Sequence, residues 1–218
     1  MRVALAAGVA VSVAFAAPAG AQDLAQMCDK VLDVQVGQWA EYQMSGGGMG
    51  GSGRMRLAIV GTQDVAGENA YWIEMKIAGD QGSMITQVLA GTYPYDSDQI
   101  HEMVFKMGDQ PAMKVSGQMM GMMRDRMGQN PALEATEKCR DAQIVGWESI
   151  TVPAGQFRAL HLKPADADGD VWALEDVPFG MIKFTDGETE IVLMGHGMDA
   201  TSSITETPQA MPGMGGGR

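Results

Sequence analysis

The chain has 218 residues, of which 15 are Lys or Arg and 27 are Asp or Glu, and its formal net charge is -12. This acidity disfavours binding to nucleic acids or to anionic membrane surfaces, because both require basic patches. The length fits a single domain behind a leader peptide, since all-β folds of this size often form one unit.

Residues 1–21 have the features of a cleaved signal peptide. Arg2 precedes an uncharged apolar run, and Pro18-Ala19-Gly20-Ala21 has the small-residue pattern of a signal-peptidase site. The run is too short to remain as a membrane span. We therefore expect cleavage after Ala21, export to the periplasm and a mature chain with no integral membrane segment.

A short amphipathic helix is predicted directly after the cleavage site. Its start is expected at Asp23 as N-cap and its end near Gly37, and the residues with helical spacing are Leu24, Met27, Cys28, Val31 and Leu32. Cys28 and Cys139 form no C-x-x-C pair, and in an oxidising compartment we expect them to form a disulfide. Such a bond would attach this helix to a later part of the chain.

From Val36 the apolar residues recur at every second position, which indicates β-strands. Predicted strands cover residues 37–44, 54–59, 71–77, 84–89 and 100–107. In the last strand His101, Met103, Phe105 and Met107 share one face. Short strands separated by Gly, Asp and Asn turns favour an antiparallel meander over alternating β-α units.

A short Met-rich helical insertion is predicted after Gly117. Within residues 118–129, the methionines with helical spacing are Met119, Met122, Met123 and Met127. Asn130-Pro131 then favours the start of a second short helix that ends near Cys139.

The second group of strands begins with a hairpin over residues 147–163, turned at Pro153-Ala154-Gly155. Further strands are predicted at 171–174, 181–184 and 190–194, the last entered through the Asp186-Gly187 turn. Residues 22–206 are thus predicted to form one mainly β domain, a curved antiparallel sheet or half-barrel with an N-terminal helix. Residues 207–218 cannot bury an apolar face and are predicted to form a disordered tail.

The run from Val145 to Phe157, followed by Val171-Trp172 and by Asp176-Val177-Pro178-Phe179-Gly180, resembles a broad bacterial group of exported proteins of unknown function. These proteins share a strand, Val-Pro-Ala-Gly-x-Phe, a strand, and then a Trp-containing strand that ends in Val-Pro-x-Gly. They are loosely similar to the half-barrels of lipoprotein-carrier proteins, whose concave face holds acyl chains. The resemblance implies a curved sheet and supplies no catalytic residues. Members are often lipoproteins, but Ala25-Gln26-Met27 lacks the acylation box, so we expect no lipid on Cys28.

Methionine is the most unusual component, at 20 of 218 residues. Its flexible thioether side chain makes apolar surfaces that adapt to irregular ligands. The predicted ligand-binding residues are Met103, Phe105, Met119, Met122 and Met123. The leading hypothesis is a non-enzymatic periplasmic binding or carrier protein, without a cofactor, for an apolar small molecule, a lipid, or a lipidated or unfolded client.

Thioethers also select Cu(I), which gives an alternative function in copper handling. Met194, His196 and Met198 would lie on one side of an extended chain and could bind the metal. A hydrolase has only scattered carboxylates such as Glu148 and Glu175 to support it. Asp166, Asp168 and Asp170 resemble the opening of a calcium loop, but the glycine and glutamate that such a loop needs are misplaced, so a solvated turn is expected there. The alternative is a different kind of calcium site, completed by Glu175 or Asp176.

Overall fold

The computed structural model describes residues 19–46, 52–80, 82–115, 120, 138–165 and 168–211, and only the backbone of residues 19–23. The leader up to residue 18 lies outside the described residues. So does the predicted Met-rich insertion, apart from Met120, together with most of the helix predicted after Pro131.

In the described residues, twelve strands follow an N-terminal α-helix. The helix α1 spans Ala19–Lys30, and a short 3₁₀ turn spans Ser97–Gln99. The strands are β1 Trp39–Gly46, β2 Gly53–Val65, β3 Glu68–Gly79, β4 Gly82–Ala90, β5 Ile100–Met107, β6 Met113–Lys114, β7 Gln143–Val152, β8 Gly155–Lys163, β9 Asp170–Ala173, β10 Met181–Thr185, β11 Thr189–Gly197 and β12 Gln209–Ala210.

The twelve strands form one open sheet in the order β12-β6-β5-β4-β3-β2-β1-β11-β10-β9-β8-β7. All neighbours are antiparallel except β12 and β6. The sheet is curved: the Ala154 N–H in the β7–β8 turn donates to the Leu193 carbonyl at 3.1 Å, although β8 lies three strands away from β11. The predicted mainly β fold, a curved antiparallel sheet with an N-terminal helix, is confirmed.

The predicted bounds of α1 need correction. The helix begins at Ala19, four residues before Asp23, and it ends at Lys30 rather than near Gly37. Alanine and glutamine favour helix, so the chain is helical before the expected cap. At the other end, the Leu32 and Asp33 amides bond to carbonyls three residues back, a tightened turn that ends the helix.

Helix α1 packs on the β8–β9 region and is bonded covalently to the chain before β7. Leu24 and Met27 are buried against Leu160 and Leu162. The predicted disulfide between Cys28 and Cys139 is confirmed and joins residues 111 positions apart. Residues 138–140 are helical, and β7 begins three residues later.

The predicted hairpin turns are also confirmed. β7 and β8 meet at Pro153-Ala154, and Gly155 adopts a φ of +138°, a conformation that favours glycine. The turn between β9 and β10 has positive φ values at Phe179 and Gly180.

The start of the predicted disordered tail needs correction, because residues 209 and 210 form β12. The Gln209 amide donates to the Ala112 carbonyl at 2.8 Å, and the Met211 amide donates to the Lys114 carbonyl at 3.0 Å. Strand pairing through the main chain needs no apolar face, so the low apolar content of this segment did not prevent it.

Candidate functional site

All seven methionines of β1–β6 lie on the same face of the sheet. The registers place Tyr42 opposite Met55, Met55 opposite Ile77, Ile77 opposite Met84 and Met84 opposite Met107. Because side chains alternate along a strand, these cross-strand partners share one face. We call this the methionine face, and its methionines are Met44, Met55, Met75, Met84, Met103, Met107 and Met113.

Burial on the methionine face decreases along the strands. In the first row, Ile59, Ile73, Val88 and Met103 pair across β2–β5 and are buried. In the next row, Leu57, Met75 and Phe105 are half-buried. In the last row, Met55 and Ile77 are half-buried, whereas Met84 is 38% exposed and Met107 is 59% exposed. The face therefore changes from a packed core into an accessible apolar surface.

The last row, which we call the exposed row, runs across β2 to β5 through Met55, Ile77, Met84 and Met107. Neighbouring strands are about 4.8 Å apart, so three spacings give a band of roughly 14 Å. The side chains of this band are all apolar. Its methionines can change rotamer, so the shape of this surface is adaptable.

The opposite face of β3–β5 carries both polar and apolar side chains and is covered by the C-terminal strap, which we define as residues 198–211. Glu74 on β3 is 1% exposed. Its carboxylate accepts hydrogen bonds from the Ser203 amide at 2.8 Å and the Ser203 hydroxyl at 2.7 Å. The Gln87 amide also donates to Glu74 at 2.7 Å. A buried carboxylate thus fixes the strap on the sheet.

Two further contacts hold the strap along the same face. Ile204 is buried against Ile85 and Val104. Lys106 donates to Glu206 at 2.6 Å, and this bond holds the pKa of the Glu206 carboxyl below its usual value. The strap therefore covers β3–β5 on the side of the sheet opposite the methionine face.

A second cluster, centred on His161, lies at the other end of the sheet. The His161 Nδ1 is 2.9 Å from a Glu148 oxygen, and the Nε2 is 2.6 Å from an Asp170 oxygen. The imidazole stacks on Trp172 at 4.5 Å, and the Trp172 indole N–H donates to Glu148 at 3.0 Å. We call Glu148, His161, Asp170 and Trp172 the His161 cluster.

The cluster favours the charged imidazolium. Burial by itself would lower the pKa of His161, but the hydrogen bonds and charges of Glu148 and Asp170 outweigh it and raise this pKa. The bonds from Trp172 and His161 lower the pKa of Glu148. Because each ring nitrogen already has a carboxylate partner, neither is free to take a proton from a substrate. The arrangement is suited to holding β7, β8 and β9 together.

The predicted ligand-binding residues divide into two sets. Met103 and Phe105 lie on the methionine face, Met103 in its buried row and Phe105 in its half-buried row. Met119, Met122 and Met123 lie outside the described residues. Met120 is buried and packs against the core of this face.

The predicted copper residues do not follow one alternation. The register with β1 shifts at Glu41/Tyr42, so that Gly195 pairs with Glu41 and Leu193 with Tyr42, and Met194 is the extra residue of a bulge. The bulge breaks the alternation that would place Met194 and His196 on one side. The His196 ring lies 6.1 Å from the Phe157 ring, and Met198 follows the end of β11. Among the described residues, no group of three or more His, Cys, Asp or Glu side chains is arranged to hold a metal ion.

The exposed row and the His161 cluster were both missed from the sequence. Within each strand, the sequence showed which apolar residues share a face. The exposed row also depends on the register in which four strands pair, and no single strand shows that register. The hairpin turn at Pro153-Ala154 already implies that Glu148 pairs with Ala159, which places His161 diagonally across from Glu148. This register was the signal that could have found the first half of the cluster.

The chain matches no family model and no curated protein. Among solved structures, it is similar to a candidate lipoprotein from Parabacteroides distasonis, with 11% identity, a TM-score of 0.35, and coverage of 77% of this chain and 98% of the other. It is also similar to a candidate exported protein with a YmcC-like fold from Bacteroides fragilis, with 10% identity, a TM-score of 0.33, and coverage of 75% and 96%. At these TM-scores neither similarity supports a conclusion about function. Within the described residues, no helix is both long enough and apolar enough to cross a membrane.

Proposed function

We propose that this protein is an exported, non-catalytic carrier that binds the acyl chain of a lipid or of a lipidated client along the methionine face. The observation that supports the proposal is the exposed row, in which Met84 and Met107 pair directly and lie partly in solvent. Each buried methylene of a ligand contributes about 0.8 kcal/mol, so a chain lying along this row would gain substantial affinity.

Three further observations support the proposal. The leader predicted for residues 1–21 and the Cys28–Cys139 disulfide fit an oxidising compartment outside the cytoplasm. The acidic chain disfavours association with anionic membrane surfaces, which suits a carrier that moves between them. In the His161 cluster, both ring nitrogens are already bonded to carboxylates, so neither is free to take a proton from a substrate, which fits a non-catalytic role.

The test is a binding titration of the purified chain with a fluorescent fatty acid. Met107→Glu should weaken binding by about tenfold or more, because the ligand would have to desolvate a carboxylate. Met198→Glu is the matched control, since Met198 is 55% exposed but lies outside the methionine face. It should leave binding unchanged. No binding by the wild type, or an equal loss in both variants, would refute the proposal.

Competition experiments distinguish the source of the acyl chain. A free fatty acid, a phospholipid and an acylated lipopeptide share the apolar chain but differ in the attached group. If all three displace the probe, the chain alone is recognised. If only the lipopeptide does so at low concentration, the client is a lipidated protein.

A further inference from the structure

The chemistry of the methionine face changes with its exposure. Its buried row contains Ile59, Ile73 and Val88 beside Met103, whereas its most exposed residues, Met84 and Met107, are both methionines. Leucine would make an equally apolar surface at these two positions, since Leu and Met exchange with little cost. Apolarity alone therefore does not explain why thioethers occupy the exposed end.

A thioether differs from leucine in that it can be oxidised. A sulfoxide is polar and hydrated, and it disrupts surfaces that depend on methionine. Met84 and Met107 are direct cross-strand partners, so their Cβ atoms are about 5 Å apart and their sulfoxides would fall on one patch. Met103, two residues before Phe105 on the same face, is only 5% exposed and is protected by packing.

We propose that Met84 and Met107 are oxidation sites through which a peroxide switches the methionine face from a ligand-binding to a ligand-releasing state. The proposal rests on the function proposed above. A lone pair of the thioether sulfur attacks one oxygen of hydrogen peroxide, the O–O bond breaks, and the other oxygen leaves as water after proton transfer. The sulfur loses two electrons as the sulfoxide forms, and the peroxide gains them. A bound acyl chain would then have to desolvate two sulfoxide oxygens, so it dissociates.

The experiment treats the full chain with increasing hydrogen peroxide and then maps the sulfoxides by peptide mass spectrometry. Binding of the fluorescent fatty acid and the thermal melting curve are measured on the same samples. Met84 and Met107 should be oxidised before Met103, and binding should weaken by about tenfold or more while the protein stays folded. Methionine sulfoxide reductases should restore binding.

Two variants test whether these two sulfurs are responsible. Met84→Leu with Met107→Leu changes the proposed binding row itself, so its affinity is measured before treatment as its own reference. The ratio of its affinities after and before peroxide should stay near one, whereas the wild type should lose about tenfold. Met198→Leu removes an equally exposed thioether outside the face, so it should lose binding on oxidation as the wild type does.

The outcomes separate the two proposals. If the untreated wild type does not bind the fatty acid, the carrier function and the switch both fail. If binding survives oxidation of Met84 and Met107, or if the double leucine variant loses binding as the wild type does, only the switch fails. Unfolding of the oxidised wild type would also overturn the switch, because binding would then be lost through stability.

Discussion

The methionine face and the His161 cluster belong to one sheet but differ in what they expose. Across β2–β5, apolar side chains become more accessible along the strands and end at the partly exposed pair Met84 and Met107. Across β7–β9, charged side chains are instead drawn together, and His161 is 9% exposed between two carboxylates. A folded protein leaves an apolar row accessible at a cost in solvation, and it buries charges only when they are paired. The first region is therefore suited to binding and the second to holding the fold.

Removal of the disulfide should have the largest effect, and it should affect the two regions differently. The disulfide joins α1 to the chain before β7 and closes a loop of 111 residues. Cys28→Ser with Cys139→Ser should lower the free energy of unfolding by about 4 to 5 kcal/mol by the chain-entropy estimate, measured by urea denaturation. If the comparison holds, hydrogen exchange should increase mainly in β7–β9, whereas fatty-acid binding by the folded fraction should persist. Loss of binding in a variant that is still folded would contradict the separation of the two regions.

The contrast between the two regions concerns the faces of the sheet and not its two halves as wholes. Glu74 lies on β3, within the methionine-rich half, yet it is buried on the opposite face beneath the strap. Glu74→Ala should lower the free energy of unfolding by about 2 to 3 kcal/mol, because Gln87 and Ser203 lose a charged acceptor.

Glu41→Ala is the control for this variant. Glu41 pairs with Arg54 at 3.5 Å on the same face, but Arg54 is largely exposed. Such an ion pair contributes less than about 1 kcal/mol. Equal losses in the two variants, compared by urea denaturation, would mean that the strap does not depend on Glu74.

The local parts of this fold were predictable and the long-range parts were not. Strand β5 was predicted at its observed bounds, since alternation over eight residues is a local property. The Pro153-Ala154 turn was found for the same reason, because proline and glycine set backbone angles directly. In contrast, β1 pairs with β11, and Trp39 comes opposite Gly197. No local pattern states which distant strand completes the sheet.

The same limit applies to the candidate site. Each methionine of the exposed row was seen as an apolar strand position, but the row exists only because β2, β3, β4 and β5 share one register. Glu74 alternated with apolar residues and had the pattern of a solvent-exposed side chain. Its burial depends on Ser203, 129 residues later in the chain. Asp170 was predicted to lie in a solvated turn, whereas it is the partner of His161.

The smallest expected effect concerns pH and tests the holding role of the His161 cluster. A histidine whose pKa is raised on folding stabilises the protein fully below its unfolded pKa of about 6.5, and this contribution is lost as pH rises through the folded pKa. Glu148 behaves in the opposite sense: its lowered pKa gives a contribution that is present above its unfolded pKa and lost as pH falls through the folded one. The cluster should therefore stabilise the fold most between the unfolded pKa values of Glu148 and of His161, in weakly acidic solution.

Charged side chains from four strands lie around the His161 and Trp172 rings. Glu148 on β7 and Asp170 on β9 contact His161 directly, Lys163 on β8 lies 3.9 Å from Asp170, and Lys183 on β10 lies over the Trp172 ring. The difference in unfolding free energy between the wild type and His161→Gln should therefore be larger at pH 5.5–6 than at pH 9. An NMR titration should give His161 a pKa above 6.5 in the folded protein. A pKa of His161 at or below 6.5, or a difference in unfolding free energy that grows with pH, would show that the carboxylates do not hold the ring as an imidazolium. The contrast with the methionine face would then rest on the disulfide alone.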